Sequence, residues 1–266
     1  MYRRGFTLIE LVISLVLVGI IAAIILPLSA SPFQAWAATR ERVHLVMLAD
    51  NALDLMQRDI HEALPNSLRV SANGQGFELL HVATAGRYRA SASNLPSSDT
   101  LDFTQPDSSF QVAGPQAAAP SGSRLVIYHT GQPGADAYAG DAVITPPGTS
   151  LSISSGNPES LITLSSAWQF PYPSPAQRYY IVDTPISYIC SSGQLLRYSA
   201  YAIQPAVASP PAGSTSALVS PQISACQFSY QSGTATRSGV ITLQLTLTGN
   251  GESVNLLEQV YVPNGI

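Results

Sequence analysis

The stretch Arg3-Arg4-Gly5-Phe6-Thr7-Leu8-Ile9-Glu10-Leu11 opens an apolar run that continues to Leu28. From Phe6 to Leu28 there are 23 residues, and Glu10 is the one ionisable side chain among them. At about 1.5 Å per residue, a helix of this length reaches roughly 34 Å and can cross a hydrocarbon core of about 30 Å. The sequence therefore predicts a membrane-spanning helix over residues 6–28.

The distribution of arginines predicts the orientation of this span. Arg3 and Arg4 precede it, and the next arginine is Arg40. Because positive residues favour the cytoplasmic side, we expect the first residues in the cytoplasm and everything after Leu28 outside. The predicted location is the inner membrane, with a single pass and a periplasmic C-terminal domain.

Two simpler interpretations of the apolar run, a secretory signal peptide and a plain membrane anchor, fit the sequence less well. A secretory signal peptide has an apolar region of about 7 to 15 residues followed by small residues at the cleavage site, whereas Pro27 and Leu28 stand here. A plain membrane anchor does not explain Glu10, because inserting a carboxylate into the apolar region costs about 2.5 to 3.5 kcal/mol. A partner for Glu10 is therefore expected.

The segment Gly5 to Leu11 resembles the N-terminal signature of type IV pilins and type II secretion pseudopilins. The resemblance implies that prepilin peptidase removes leader residues 1–5 by cutting between Gly5 and Phe6, and that Phe6 becomes N-methylated. It also implies that Glu10 pairs with the Phe6 amino group of a neighbouring subunit during assembly, because a buried carboxylate is tolerated beside an opposite charge. Implied partners are other minor and major pilins, prepilin peptidase, the inner-membrane assembly platform and the inner membrane itself.

Residues 29–64 are predicted to continue the helix beyond the membrane as an amphipathic half. Pro27, where many pilins carry a proline, removes one backbone donor and predicts a helix break, and Pro65 is expected to end the helix. Trp36 is expected at the membrane interface, in the core or at a subunit contact. Apolar residues recur mostly at steps of three or four: Phe33, Trp36, Val43, Met47, Leu53, Met56, Ile60 and Leu64.

After Asn66 the pattern changes to short β-type runs separated by turn-rich segments. The alternation over Ile241–Leu247, followed by Gly249-Asn250-Gly251, predicts a hairpin with a positive-φ turn. One face of this sheet is expected to pack on the helix. The predicted strands cover residues 68–70, 77–83, 101–103, 125–129, 161–164, 179–189, 195–201, 226–230, 240–247 and 254–262.

The predicted fold class is therefore α+β, with a long N-terminal helix packed on an antiparallel β-sheet domain. The exported β-rich globular domain covers residues 65–266, as one domain with insertions. Three segments rich in Pro, Gly, Ser and Ala are expected to form long loops: residues 91–123, 131–158 and 204–221.

Composition argues against a nucleic-acid partner. The net charge is −4, only 11% of residues are charged, and all twelve basic residues are arginine. Loss of Arg3 and Arg4 with the leader would make the charge more negative, and no basic stripe is present.

Cys190 and Cys226 both lie in the exported part, where an oxidising periplasm favours a disulfide between them. Such a bridge would stabilise the domain by roughly 4 kcal/mol, while two free buried thiols are the alternative.

Patterns for catalysis are weak, so no enzyme, cofactor or metal is predicted. His44, His61, His81 and His129 lack metal-ligand spacing, and Gly74-Gln75-Gly76 lacks the third glycine of a dinucleotide site. Four scattered acidic residues could form a calcium site with loop carbonyls, but the absence of a ligand-spaced loop favours solvated loop residues. These acids are Asp102, Asp107, Asp136 and Asp183.

Further stretches resemble the MshO-type minor pilins of the mannose-sensitive haemagglutinin (MSHA) pilus, which are related to J-type pseudopilins: Arg58–Val70, Ala85–Arg89, Ser187–Cys190 with Gln194–Tyr198, and Ala225–Tyr230. The resemblance implies a minor pilin in the initiation or tip complex of a type IV pilus. Retention of Glu10 implies a position just below the tip. Alternatives are a J-type pseudopilin of type II secretion and a surface adhesin or tethered enzyme.

Overall fold

A computed structural model describes residues 7–91, 98–233 and 237–262. Its first element is a helix of 54 residues, α1 (Leu8–His61), which begins at a Thr7 N-cap. The helix was expected to start at residue 6 and to continue to residue 64. It ends earlier because the backbone of residues 62–64 pairs with a strand instead, through Val82 N to Glu62 O at 2.9 Å and Leu64 N to Leu80 O at 2.8 Å. Pro65 therefore lies beyond the end of the helix.

Twelve strands follow the helix within the described residues. They are β1 (Arg69–Val70), β2 (Gly76–Arg87), β3 (Asp107–Ala113), β4 (Arg124–Val126), β5 (Leu151–Ser154), β6 (Glu159–Trp168), β7 (Arg178–Ser191), β8 (Gln194–Ser199), β9 (Thr215–Ser220), β10 (Ile223–Gln231), β11 (Gly239–Gly249) and β12 (Glu252–Val262).

These strands form three antiparallel sheets. The six-stranded sheet has the order β1-β2-β7-β8-β9, with β4 also paired to β7. The C-terminal sheet has the order β10-β11-β12, and a third sheet has the order β3-β6-β5. The second half of α1 packs mainly on β12 and β11. The predicted α+β class, with one helix on antiparallel sheet, is confirmed.

The hairpin of β11 and β12 agrees with the sequence pattern. Its register is unbroken from Gly239 opposite Val262 to Gly249 opposite Glu252. The turn residues Asn250 and Gly251 have φ values of 47° and 83°. Two consecutive positive φ values define a tight turn whose twist matches that of the flanking strands.

Two large apolar clusters are joined by β7. The first lies between α1 and the C-terminal sheet and takes Ile186 and Tyr188 from β7. The second lies against the β3-β6-β5 sheet and takes Tyr179 and Ile181 from the same strand. One long strand therefore contributes side chains to both cores.

Three strands lie in segments that were expected to be loops: β3, β5 and β9. Their sequences are short and rich in serine, so local propensity is weak, and pairing with β6 or β8 supplies the missing stabilisation. Residues 101–103 were expected to form a strand and do not. Leu101 and Phe103 nevertheless pack on the second core, while Asp102 Oδ1 accepts from Thr104 N at 2.7 Å and turns the chain.

Candidate functional site: the exposed N-terminal half of α1

Glu10 lies in the first turn of α1 and takes part in the N-terminal cap of this helix. Thr7 N donates to Glu10 Oε2 at 3.0 Å, and Glu10 N donates to Thr7 Oγ1 at 3.4 Å. This reciprocal arrangement is a capping box, in which both residues satisfy donors that the first helical turn leaves open. The carboxylate is thereby held at the very start of the helix.

The segment Leu8–Ile25 stands apart from the globular part. It is long and apolar enough to cross a membrane, and none of its 18 residues is buried. Leu8 is 82% exposed and Ile9 is 67% exposed. A helix that is apolar on all sides and has no protein cover requires an apolar environment outside its own fold.

Two features predicted for this region are the cleavage site and the helix break at Pro27. Gly5 and Phe6, the residues of the proposed cleavage site, lie outside the described residues. At position 27 the helix continues without interruption, so Pro27 does not end it. A local bend at Pro27 stays a prediction.

The segment beyond the span exposes aromatic side chains. Phe33 is 72% exposed and Trp36 is 63% exposed, and the Arg40 guanidinium lies 5.6 Å from the centre of the Trp36 ring. Trp36 is therefore not part of the core, which leaves the membrane interface and a subunit contact. Val43 and Met47, both members of the predicted amphipathic stripe, are also exposed.

Burial of α1 begins at Leu45 and continues through Ala49, Met56 and Ile60. The same face also buries Asp59, which the sequence pattern did not single out. Asp59 Oδ2 accepts from Tyr188 Oη at 2.6 Å and from Arg197 Nε at 2.7 Å. Burial, reinforced by the Asp59 charge, raises the pKa of Tyr188, so its hydroxyl remains a donor. This polar group fixes α1 to β7 and β8.

Two other polar groups were also missed by sequence reasoning. His81 lies between two carboxylates, with Nδ1 2.7 Å from Asp183 Oδ1 and Nε2 3.2 Å from Glu62 Oε2. Glu78 is buried and accepts from Arg69 Nη2 at 3.0 Å, and burial raises the pKa of its carboxyl group. Asp183 is 102 residues from His81, and Arg69 meets Glu78 only through the pairing of β1 with β2, so spacing alone gave no signal.

The structure joins Cys190 to Cys226 in a disulfide. The bridge connects β7 to β10, so it ties the six-stranded sheet to the C-terminal sheet. Among the described residues, no group of three or more His, Cys, Asp or Glu side chains could hold a metal ion.

The comparisons with known proteins concern this N-terminal region. Residues 1–26 match the family model described as the prokaryotic N-terminal methylation motif. No curated protein and no solved structure matches the chain.

The motif indicates a type IV pilin-like or pseudopilin protein that is processed by prepilin peptidase. The apolar segment Leu8–Ile25, which lies within the matched residues, could anchor such a protein in the membrane. The matched segment is therefore pilin-like, and it implies assembly with other pilins.

Proposed function

We propose that this chain is a minor pilin in the initiation or tip complex of a type IV pilus of the MSHA type. It is a structural subunit rather than an enzyme. Prepilin peptidase cuts it after Gly5 and methylates Phe6, and the exported domain then resides in the periplasm until the filament grows. The alternatives are a J-type pseudopilin of a type II secretion system and a surface adhesin subunit.

The observation that carries this proposal is the contrast within α1. An apolar segment without protein cover, headed by the methylation motif and containing Glu10, is continuous with a helix that is firmly packed on a β-rich domain. Such a subunit can leave the bilayer only for another apolar environment, and a bundle of equivalent helices provides one.

Glu10 supports an assembly role because its charge has no ordinary place in an apolar segment. The capping box orients the carboxylate at the helix start, where the methylated amino group of a neighbouring Phe6 would meet it. Charge neutralisation in a low-dielectric bundle favours that pairing over an unpaired carboxylate. Retention of the acid supports a place just below the tip, where a subunit still has a neighbour above it.

The test is the intact mass of the N-terminal peptide from sheared surface filaments and from washed membranes. The proposal expects a chain that starts at methylated Phe6 in the filament fraction. An uncleaved N-terminus in both fractions would contradict processing after Gly5.

The same experiment separates the alternatives. A processed chain confined to membranes, together with loss of secreted enzymes on deletion while pili persist, would indicate the secretion pseudopilin. The adhesin alternative requires that the purified full chain binds a surface ligand.

A further inference from the structure

We infer that the outer edge of β12 is a docking edge for an extended segment of a partner protein that carries basic side chains. The segment would add a fourth strand to the C-terminal sheet. This inference goes beyond the proposed function, because it holds equally for a pilus subunit and for a secretion pseudopilin.

The backbone geometry of the hairpin determines which groups face this edge. Because Asn250 and Gly251 form a two-residue turn, Gly249 and Glu252 are a hydrogen-bonded pair, and such pairs alternate with non-bonded pairs along the ladder. Every second residue of β12 therefore directs its N–H and C=O away from β11. These residues are Ser253, Asn255, Leu257, Gln259 and Tyr261.

No described residue covers these outward groups. The C-terminal sheet ends at β12, and the backbone hydrogen bonds between described residues outside the regular strands include none to this segment. The side chains of Leu257 and Tyr261 are 59% and 68% exposed. An uncovered row of donors and acceptors is a template for strand addition.

Apart from the inward charge of Glu258, β12 lacks the usual protection of an edge strand. Proteins commonly shield edges with proline, lysine, bulges or short strands. Glu252 to Val262 contains no proline or lysine, and its 11 residues pair with β11 without a register shift. The edge strand β5 has only four residues, and the pairing of β3 is irregular between Asp107 and Ser109. Among these edges, β12 offers the longest regular template.

The charge beside the edge selects the partner. Glu258 lies on the face of β12 that points towards α1, and Asp54 and Asp50 lie near it on the flank of the helix. Burial, and then the negative charges of Asp54 and Asp50, raise the pKa of Glu258, with only His61 acting in the opposite direction. Three carboxylates of like charge favour a cation close by.

A second copy of β12 does not fit this requirement. Antiparallel pairing of two β12 edges would bring a second Glu258 towards the same acidic flank, and like charges in a sheet are destabilising. An inward charge on an edge strand therefore rejects an identical strand while accepting a basic one. The occupant we assign is a basic extended segment of another protein.

The experiment uses the full chain in detergent micelles and a synthetic eleven-residue peptide of alternating arginine and valine. Binding is measured by fluorescence anisotropy, and amide hydrogen exchange is followed along β12. We expect the peptide to slow exchange at the outward amides of Ser253, Asn255, Leu257, Gln259 and Tyr261. Amides that already bond to β11 should change little.

Leu257→Pro removes one outward N–H and leaves the ladder to β11 intact, since residue 257 does not bond to that strand. We expect the affinity of this variant for the peptide to fall about tenfold, which corresponds to the loss of one well-placed hydrogen bond. The matched control Leu257→Thr keeps the N–H and should bind within about twofold of the parent chain. Equal binding by all three chains would overturn the inference.

A second pair of tests does not alter the backbone, so it remains decisive if Leu257→Pro fails to fold. The double variant Asp54→Asn with Glu258→Gln should weaken binding of the arginine peptide several-fold, and a peptide of alternating glutamate and valine should not bind. Equal binding of the two peptides overturns the inference. Dimerisation of the chain alone that Leu257→Pro abolishes also overturns it, because a second copy would then be the occupant.

Discussion

From Leu8 to Ile25, α1 exposes apolar side chains on every side, whereas from Leu45 to Ile60 it buries one face in the domain. Both segments belong to one continuous helix, so the difference lies in the arrangement of side chains and not in backbone conformation. The first segment has no polar face and needs a partner outside the fold. The second has a narrow apolar face and finds its partner in the C-terminal sheet.

The two segments should therefore respond separately to mutation. Changes before residue 25 should affect insertion and assembly but not domain unfolding. Changes between residues 45 and 60 should affect unfolding first, with assembly lost only because the domain is lost.

The largest expected effect is on assembly at Glu10. Glu10→Ala should reduce incorporation into sheared filaments by at least about tenfold, because a charge pair within the helix bundle is lost. The thermal unfolding midpoint of the exported domain should not change. Quantitative immunoblotting of filaments against membranes measures the first effect.

Glu10→Gln is the sharper variant because glutamine at this position can keep the capping box while the charge disappears. We expect it to fail in assembly like the alanine variant. Normal incorporation of Glu10→Gln would mean that Glu10 serves only as a cap.

Within the packed half of α1, residues 45–60, substitution of Asp59 should lower the free energy of unfolding the most. Asp59→Ala leaves Arg197 and Tyr188 without their shared acceptor. Because Asp59 is buried while the Arg197 side chain is 26% exposed, the loss should cost about 3 kcal/mol, the lower end of the range for a buried ion pair. Denaturant unfolding of the full chain in detergent should show this loss. Asp54→Ala, an exposed position on the same helix, should change the free energy of unfolding by less than about 0.5 kcal/mol.

Two methionines provide a smaller and cleaner contrast. Met56 is fully buried, and Met56→Ala should destabilise the domain by about 2 to 3 kcal/mol through lost contacts and a cavity. Met47 is 59% exposed, so Met47→Ala should have almost no effect on the same unfolding curve. A large effect at Met47 would show that the packed face of α1 extends further towards the membrane than the structure indicates.

Sequence pattern predicted the features that depend on neighbouring residues. The apolar span follows from a run with one charge, and the β11–β12 hairpin follows from strict alternation before Asn250-Gly251. The cysteines were predicted to pair from the compartment alone. The span and the hairpin are local signals, whereas the disulfide between Cys190 and Cys226, which are 36 residues apart, was predicted from the oxidising compartment.

Features that depend on tertiary pairing were not predictable. The helix was placed as far as Leu64, but pairing of residues 62–64 with β2 ends it at His61. The amphipathic stripe was predicted from Phe33 to Leu64, whereas its buried part starts at Leu45, because the domain reaches only that far along the helix. His81, Asp59 and Glu78 acquire their roles from partners up to 138 residues away, which no local pattern reveals.

The smallest expected effect concerns His81, at the point where α1 passes into the sheet. Both ring nitrogens face carboxylates, so both must carry protons for the two contacts to be hydrogen bonds, and that state is the imidazolium. The hydrogen bond to Asp183 is the main cause that raises the pKa of His81, with Glu62 adding to it against an opposing effect of burial. The stabilisation is therefore fully present below pH about 6.5, the ordinary value for histidine, and is lost as the pH rises through the raised pKa. His81→Gln should remove this part of the pH dependence of the unfolding free energy, while His44→Gln, on the exposed part of α1, should preserve it. An unchanged pH profile in His81→Gln would show that the contact with Glu62 and Asp183 does not stabilise the end of the packed half.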